Sequence, residues 1–177
     1  MIDAKEYGKA LFMLASEEGY ADRFFEELTF VSEVLKKNPE YVKLLDTPAV
    51  ATEEKPGLID KAFGEVHPYI CNFIKILCEK RGVYSFEECK KAYQREYDEY
   101  LGVLRAEAVT AYPMTEEQKE ALKSKLGKIT GKSIILENNI DKSVIGGVRL
   151  RYSGKQLDGS VSSRLEALRK KLSCAVV

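Results

Sequence analysis

The hydrophobic pattern of this chain changes within one stretch, Leu104-Arg105-Ala106-Glu107-Ala108-Val109-Thr110-Ala111-Tyr112. Successive residues in it fall on two alternating faces, a period of two that predicts a β-strand ended by Pro113. Before residue 104 the apolar residues recur every three or four positions, and after it strand patterns alternate with helix patterns. We therefore expect a domain boundary near residues 104–106 and two domains, residues 1–105 and 106–177.

The first of these domains is expected to be a six-helix bundle, because its apolar residues follow a helical period between short breaks. Asp3 is expected to cap the first helix, and Pro68 suits the first turn of the fifth. The first helix carries one apolar stripe and the fifth another: Tyr7, Ala10, Leu11 and Leu14; Phe73, Ile74 and Leu77. Spacing alone favours the interpretation that both stripes face a core, and an exposed groove for a partner helix remains the alternative.

The second domain is predicted to be a small α+β domain of order β-α-β-β-α. Thr115-Glu116-Glu117-Gln118 is a capping box that opens its first helix, and Gly131 suits the end of that helix. Strand patterns occupy residues 133–137 and 143–152, and Lys155-Gln156-Leu157 can return as a further short strand. The last helix has an apolar stripe formed by Val161, Leu165, Leu168 and Leu172. The fold class is therefore mainly α with a small sheet near the C-terminus.

The charge of the 177-residue chain is balanced, with 28 Lys and Arg against 28 Asp and Glu. A net charge of zero argues against a protein that binds nucleic acid or anionic membrane through a cationic surplus. The balance is uneven along the chain, because residues 1–105 carry 15 basic and 20 acidic residues, and residues 106–177 carry 13 and 8. We expect two oppositely biased surfaces.

The residue types required for catalysis are sparse. His67 is the single histidine, which excludes a His-rich metal site, and no serine or cysteine pattern makes it a general base. The four cysteines form no CxxC pair and are expected to be small core residues: Cys71, Cys78, Cys89 and Cys174. The first residues lack the basic start and apolar core of a signal peptide, which predicts a cytoplasmic compartment. No metal and no cofactor are expected.

One segment imitates a phosphate-binding loop, Gly127-Lys128-Ile129-Thr130-Gly131-Lys132-Ser133. Only three residues separate its glycines, where the P-loop needs four. It also runs from a helix into a strand, the reverse of the order that places a helix N-terminus against a phosphate. A helix cap followed by solvated lysines explains it better than a nucleotide site does.

Three blocks, in order along nearly the whole chain, resemble the delta subunit family of F-type ATP synthases, which is related to the mitochondrial oligomycin-sensitivity-conferring protein. They are Tyr7-Gly8-Lys9-Ala10-Leu11-Phe12; Asn72-Phe73-Ile74-Lys75-Ile76-Leu77 with Glu79-Lys80-Arg81-Gly82; and Asp141-Lys142-Ser143-Val144-Ile145-Gly146-Gly147-Val148 with Leu157-Asp158-Gly159-Ser160-Val161. The family more often has alanine where this chain has Gly8, and its middle block usually ends with glycine before arginine. Gly8 is expected to loosen the first helix or to admit a closer partner.

The resemblance implies a non-catalytic stator subunit that links the alpha/beta headpiece to the b subunits of the peripheral stalk, at the cytoplasmic face of a bacterial membrane. It implies that the first and fifth helices bind the N-terminal helix of an alpha subunit through Tyr7, Ala10, Leu11, Leu14, Phe73, Ile74 and Leu77. Phe73→Asp would then abolish that binding and leave the fold intact. No nucleotide, nucleic acid or inserted membrane segment is implied.

The third block is expected to serve the fold rather than a ligand: Ile145, Gly146, Gly147, Asp158, Gly159 and Ser160. Asp158 or Ser160 can cap the last helix, and the glycines permit a close backbone approach. A helical adaptor of some other complex is the alternative function.

Overall fold

The computed structural model describes residues 3–47, 54–152 and 154–166. The chain separates into two compact units, Met1–Tyr97 and Asp98–Val177. The division lies inside the sixth helix, before the change of hydrophobic period that placed the expected boundary near residues 104–106. Arg105 Nε donates to Asp98 Oδ2 at 2.7 Å, which ties the end of that helix to the strand after it. A change of period marks where a helix gives way to a strand, and the domain boundary near residues 104–106 stays a prediction.

Six α-helices occupy the described residues up to residue 100. They are α1 (Ala4–Glu17), α2 (Ala21–Lys37), α3 (Pro39–Asp46), α4 (Lys55–Phe63), α5 (Pro68–Glu79) and α6 (Phe86–Tyr100), with a short 3-10 turn at Val83–Ser85. Local sequence explains their starts, since Asp3 accepts a hydrogen bond from Lys5 N and prolines lie in the first turns of α3, α4 and α5. Thr52, whose residue type suits the N-cap of α4, lies outside the described residues. In the part of the chain that is described, no helix is both long and apolar enough to cross a membrane.

The core of the first unit is a single cluster to which all six helices contribute. Its largest fully buried side chains are Phe24, Leu28, Leu45, Ile59, Phe63, Ile70, Ile74, Leu77 and Tyr93. Polar groups at its border are paired. Tyr93 Oη donates to Ala21 O at 2.8 Å, and Ser32 Oγ donates to Glu87 Oε2 at 2.5 Å. Burial opposes ionisation of Glu87, but its bonds to Ser32 and Lys36 place its pKa below the ordinary value.

A buried lysine joins α3 to α4. Lys55 Nζ donates to Leu45 O at 2.6 Å and to Thr47 O at 2.9 Å. These carbonyls lie at the C-terminal end of α3, where the helix dipole favours a cation. The ammonium group therefore satisfies backbone acceptors that the helix itself leaves unpaired.

The second unit contains a four-stranded sheet of order β2-β1-β3-β4. The strands are β1 (Val103–Thr110), β2 (Ser133–Ile140), β3 (Val148–Tyr152) and β4 (Lys155–Asp158). β1 and β2 are parallel and are connected by α7 (Glu116–Thr130), whereas the other two pairs are antiparallel. Leu126 of α7 packs with Ala106, Ala108 and Leu150 on one face of the sheet. A last helix begins at residue 161 and is described to residue 166.

The expected fold class is confirmed at the level of a mainly helical chain with a small sheet near the C-terminus. The expected order β-α-β-β-α is one strand short, because the short return expected at Lys155-Gln156-Leu157 is β4, a full member of the sheet. All four β4 residues are exposed. An exposed strand of that length has no buried face to give a hydrophobic alternation, so its sequence signal is weak.

Candidate docking surfaces

α1 has one face closed by the core and one that is open. Its buried residues are Ala4, Gly8, Leu11 and Ala15. At Gly8 the helix approaches α6 closely, because a Cβ built there would lie 2.3 Å from Cys89 O and 2.6 Å from Ala92 Cβ. Tyr7 and Leu14 are half-buried and Ala10 is exposed. Ala10 is therefore the predicted groove residue on α1 that a partner would reach most directly.

On α5, the predicted groove residues lie in the core and not on the surface. Phe73, Ile74 and Leu77 are buried in the core cluster, Phe73 being 6% exposed with its ring 6.1 Å from that of Phe86. Leu11 of α1 belongs to the same cluster. The structure places these four side chains in the core, which agrees with the core interpretation of their spacing, and their direct contact with a partner stays a prediction. Phe73→Asp would bury an unpaired carboxylate and would disrupt the fold instead of testing binding.

The outward apolar residues of these helices were missed by the sequence prediction. Met13 on α1 is 55% exposed and Ile76 on α5 is 44% exposed, and Tyr69 is also exposed. Tyr69 and Ile76 are seven positions apart and so lie on one helical face, a spacing that could have identified them. α5 is apolar on more than one side, because six of its twelve residues are buried and these two are not. Spacing alone favoured a core position for the densest stripe, and only the family resemblance assigned it to a groove.

His67 has a structural position at the start of α5. Its Nδ1 accepts a hydrogen bond from Tyr69 N at 3.3 Å, which caps the helix, and its own backbone N donates to Glu27 Oε2 at 2.7 Å. Its ring lies 4.9–5.2 Å from the rings of Tyr20, Phe24 and Tyr69. The side chain is therefore fixed as a cap within an aromatic cluster.

The described cysteines are buried in the first unit: Cys71, Cys78 and Cys89. Burial raises the pKa of all three thiols, that of Cys89 to about 11. A thiol of raised pKa stays protonated at neutral pH and is a poor nucleophile. Cys174 lies outside the described residues. Among the residues that are described, no group of three or more His, Cys, Asp or Glu side chains is arranged to bind a metal.

The segment that imitates a phosphate loop spans the end of α7 and the start of β2. Gly131 adopts φ 69° and its N–H donates to Gly127 O at 2.8 Å, the left-handed cap that glycine favours. The segment therefore surrounds a helix C-terminus, whose partial negative charge disfavours an anion.

In the second unit, residues 145–147 and 158–160 form a junction that we call the clasp. Gly159 N donates to Val148 O, and Val161 N donates to Gly146 O, both at 3.0 Å. Gly147 has φ 79°, and a Cβ there would lie 2.6 Å from Gly159 O. Ser160 is fully buried and its Oγ accepts from Ser163 N at 3.2 Å. The clasp thus fixes the start of the last helix against the sheet, with Ser160 as the cap.

Asp158 supplies the charge of the clasp. Its Oδ1 accepts from Ser160 N and its Oδ2 from Arg149 Nε, both at 3.0 Å. The hydrogen bonds to Ser160 are the largest cause that lowers the pKa of Asp158, to about 2, and Arg149 adds to the effect.

Asp158→Asn is expected to change the pH dependence of stability. A depressed folded-state pKa contributes stability above the unfolded value of about 3.9, and this contribution is lost as pH falls towards 2. The melting temperature of the wild type should exceed that of the variant at pH 6, and the difference should shrink below pH 4. Thermal melts of both proteins from pH 6 to 2.5 measure it. A constant difference across that range would contradict the lowered pKa of Asp158 in the folded protein.

Residues 4–172 match the family model of the ATP synthase delta (OSCP) subunit. ATP synthase subunit delta of Clostridioides difficile (strain 630) is 35% identical over 172 residues, covering 96% of this chain and 95% of that protein. The protein of the same name from Geobacillus sp. (strain WCH70) is also 35% identical, covering 97% of both.

A solved structure shares the fold. A chain in the cryo-EM structure of the Toxoplasma gondii mitochondrial ATP synthase hexamer aligns with a TM-score of 0.74 at 20% identity. The alignment covers 97% of this chain and 98% of that chain, so both units have counterparts in one known fold.

Proposed function

Because the chain belongs to the ATP synthase delta (OSCP) subunit family, a non-catalytic component of the peripheral stalk of F-type ATP synthases, we propose that it links the catalytic headpiece to the rest of that stalk. The six helices act as one bundle that binds the N-terminal helix of an alpha subunit, and the second unit binds the b subunits. The complex would place this chain at the cytoplasmic face of a bacterial membrane. By joining headpiece and stalk, the chain prevents the headpiece from turning with the rotor.

The observation that carries the proposal is the division into two compact units with separate cores. A mechanical link needs two interfaces, and each must resist torque without help from catalytic groups. Both units expose apolar side chains beside closed cores, such as Met13 in the first and Ile145 in the second. Apolar anchors of this kind account for most of the binding energy in protein interfaces.

We place the alpha-binding surface on the open side of α1 and not on the buried stripe. Ala10 lies between Tyr7 and Leu14, and Met13 adds a flexible apolar side chain beside them. A small residue flanked by larger ones lets another helix approach closely, and methionine adapts to its contour.

Ala10→Arg is expected to weaken binding of a synthetic alpha N-terminal helix at least tenfold, because the long charged side chain obstructs that approach. The melting temperature should not change, since Ala10 is exposed. Titration calorimetry with the peptide from the same genome measures the affinity.

Ala62→Arg provides the matched control. Ala62 is an exposed alanine within α4 of the same unit. Its replacement should leave both affinity and melting temperature unchanged. Equal affinities for all three proteins would refute the surface placed on α1, and failure to co-purify alpha, beta and b subunits from native membranes would refute the stator assignment.

A further inference from the structure

The clasp contains a dipeptide that is chemically reactive in an unfolded chain, Asp158-Gly159. No other aspartate or asparagine of the sequence precedes a glycine. An aspartate followed by glycine rearranges readily, because glycine has no side chain to shield its nitrogen and gives the backbone wide conformational freedom. The chain therefore has a single aspartyl bond of this reactive type, and it lies where two backbone segments of the second unit meet.

The rearrangement starts from the protonated side chain of the aspartate. The nitrogen of Gly159 loses its proton and forms a bond to Asp158 Cγ, and the hydroxyl of the carboxyl group leaves as water. Water then opens the resulting succinimide ring. Opening at the side-chain carbonyl restores aspartate, whereas opening at the main-chain carbonyl leaves the peptide bond on Cγ, which is isoaspartate. Water is released in the first step and taken up in the second, so no co-reactant is required.

In the folded protein the clasp engages both reacting groups. Gly159 N donates to Val148 O at 3.0 Å, so the sheet holds the hydrogen that the nitrogen must lose. Asp158 accepts from Ser160 N and from Arg149 Nε, both at 3.0 Å. These contacts hold the pKa of Asp158 at about 2, and the carboxyl group is therefore an anion that has no hydroxyl to release.

The backbone of Asp158 also opposes ring closure. Asp158 is the last residue of β4 and pairs with Arg149 of β3. The extended backbone of a strand directs the next nitrogen away from the side chain, whereas a five-membered ring requires the two to approach. Both Asp158 and Gly159 are exposed, so exclusion of water does not protect the bond. The protection comes from hydrogen bonds and conformation.

We propose that Asp158-Gly159 is a modification site that the closed clasp keeps unreactive, and that opening of the clasp converts Asp158 to isoaspartate. The inference is independent of the stator function proposed above. Isoaspartate adds one carbon to the main chain between β4 and the last helix, so residues 158–160 no longer match residues 145–147. A transient opening thus leaves a permanent defect, and the second unit ages chemically from this junction.

The rate of isomerisation in the folded protein should report how often the clasp opens. When a reaction proceeds only from an open form that closes quickly, its rate is the unfolded-chain rate multiplied by the open fraction. The bonds that must be released are those from Gly159 N, Ser160 N and Arg149 Nε, and the last two end on a charged group. The folded chain should therefore isomerise about a hundredfold more slowly than the unfolded chain.

The test incubates the full chain at pH 5, folded in buffer and unfolded in urea. Isoaspartate at residue 158 is identified in proteolytic peptides by its changed retention at unchanged mass and by electron-transfer fragmentation. We expect it to accumulate in urea and about a hundredfold more slowly in the folded chain. Equal rates would overturn the protection by the clasp. Absence of isoaspartate at residue 158 in urea would overturn the site itself.

Gly147→Ala and Gly154→Ala form a matched pair for the role of the clasp. A Cβ at Gly147 would lie 2.6 Å from Gly159 O, so this variant should open the clasp and isomerise almost as fast as the unfolded chain. Gly154 has a similar positive φ without such an overlap, and its variant should isomerise at nearly the wild-type rate. Equal acceleration in both would show that the rate follows the stability of the whole unit, and would overturn the proposal.

Arg149→Gln tests the contribution of the charge. Loss of the cation should raise the pKa of Asp158 and populate the protonated carboxyl, which should accelerate isomerisation about tenfold at pH 5. Arg151→Gln is the control, because Arg151 lies on the same strand but contacts Glu107 and Gln156 instead. It should isomerise at the wild-type rate. Equal rates for the two variants would overturn the part assigned to the Arg149 contact.

Discussion

Gly8→Ala is expected to lower the free energy of unfolding of the first unit by about 2 kcal/mol, although alanine is the better helix former. The added Cβ would lie 2.3 Å from Cys89 O and 2.9 Å from Tyr93 N, which are backbone atoms of α6. Neither can move by a change of rotamer, so α1 and α6 must separate. Separation would also weaken the packing of Phe12 on Tyr93, whose rings are 5.5 Å apart.

Whether Gly8→Ala stabilises or destabilises the first unit depends on two opposing free-energy contributions. Replacing a helical glycine with alanine gains about 1 kcal/mol, whereas overpacking a well-packed contact costs about 1–3 kcal/mol or more. At 2.3 Å from a carbonyl oxygen the overlap is severe, so the cost should lie at the upper end. The closer partner that Gly8 was expected to admit is therefore α6 of the same chain.

Gly57→Ala is the control for Gly8→Ala. Gly57 lies in α4, and a Cβ there would meet nothing within 4 Å. The substitution should raise stability by up to about 1 kcal/mol. Urea denaturation, with hydrogen exchange of the α1 and α6 amides, measures both variants. A Gly8→Ala protein as stable as the wild type would show that the two helices tolerate a wider separation.

Local signals made much of the fold predictable. The capping box formed by Thr115 and Gln118 opens α7 as expected, and the prolines at the starts of α3 and α5 lie in first turns. The alternating pattern that begins at Leu104 predicts a strand, and β1 lies there. Each of these features depends on residues close in sequence, so a single chain contains the information.

The docking surface could not be predicted as well, because it depends on which faces other elements cover. Phe73 and Ile76 are both apolar residues of α5, yet the first is in the core and the second is 44% exposed. Periodicity identifies which residues share one face of a helix, but not which other elements cover that face. The backbone of Ile145, with φ 65°, was equally hidden, since a positive φ is expected at glycine or asparagine and not at isoleucine.

Gly147→Ala is expected to produce the largest loss of stability in the second unit, about 3 kcal/mol or more. Two independent penalties add. A residue other than glycine at φ 79° costs about 1–2 kcal/mol. The new Cβ would also lie 2.6 Å from Gly159 O and 3.2 Å from Ser160 Cα, which are backbone atoms.

The damage should spread through the clasp. Relief of the overlap requires residues 145–147 to move away from residues 158–160, which breaks the bonds from Gly159 N to Val148 O and from Val161 N to Gly146 O. It would also uncover Ser160, which is fully buried. Hydrogen exchange of the β3 amides should accelerate strongly, because β3 begins at Val148 beside the broken junction. Exchange in α2 and α5, in the other unit, should be unaffected.

Gly154→Ala separates the two penalties. Gly154 has φ 74°, close to that of Gly147, but a Cβ there would meet nothing within 4 Å. It should therefore incur the conformational cost alone, about 1–2 kcal/mol, and leave the clasp bonded. If Gly147→Ala and Gly154→Ala lowered the free energy of unfolding equally, the close backbone approach at Gly147 would add nothing to the cost of its positive φ. A much larger loss of stability for Gly147→Ala would establish that the clasp requires glycine at this position for two reasons. Glycine tolerates the positive φ, and it leaves room where the backbones of residues 147 and 159 meet.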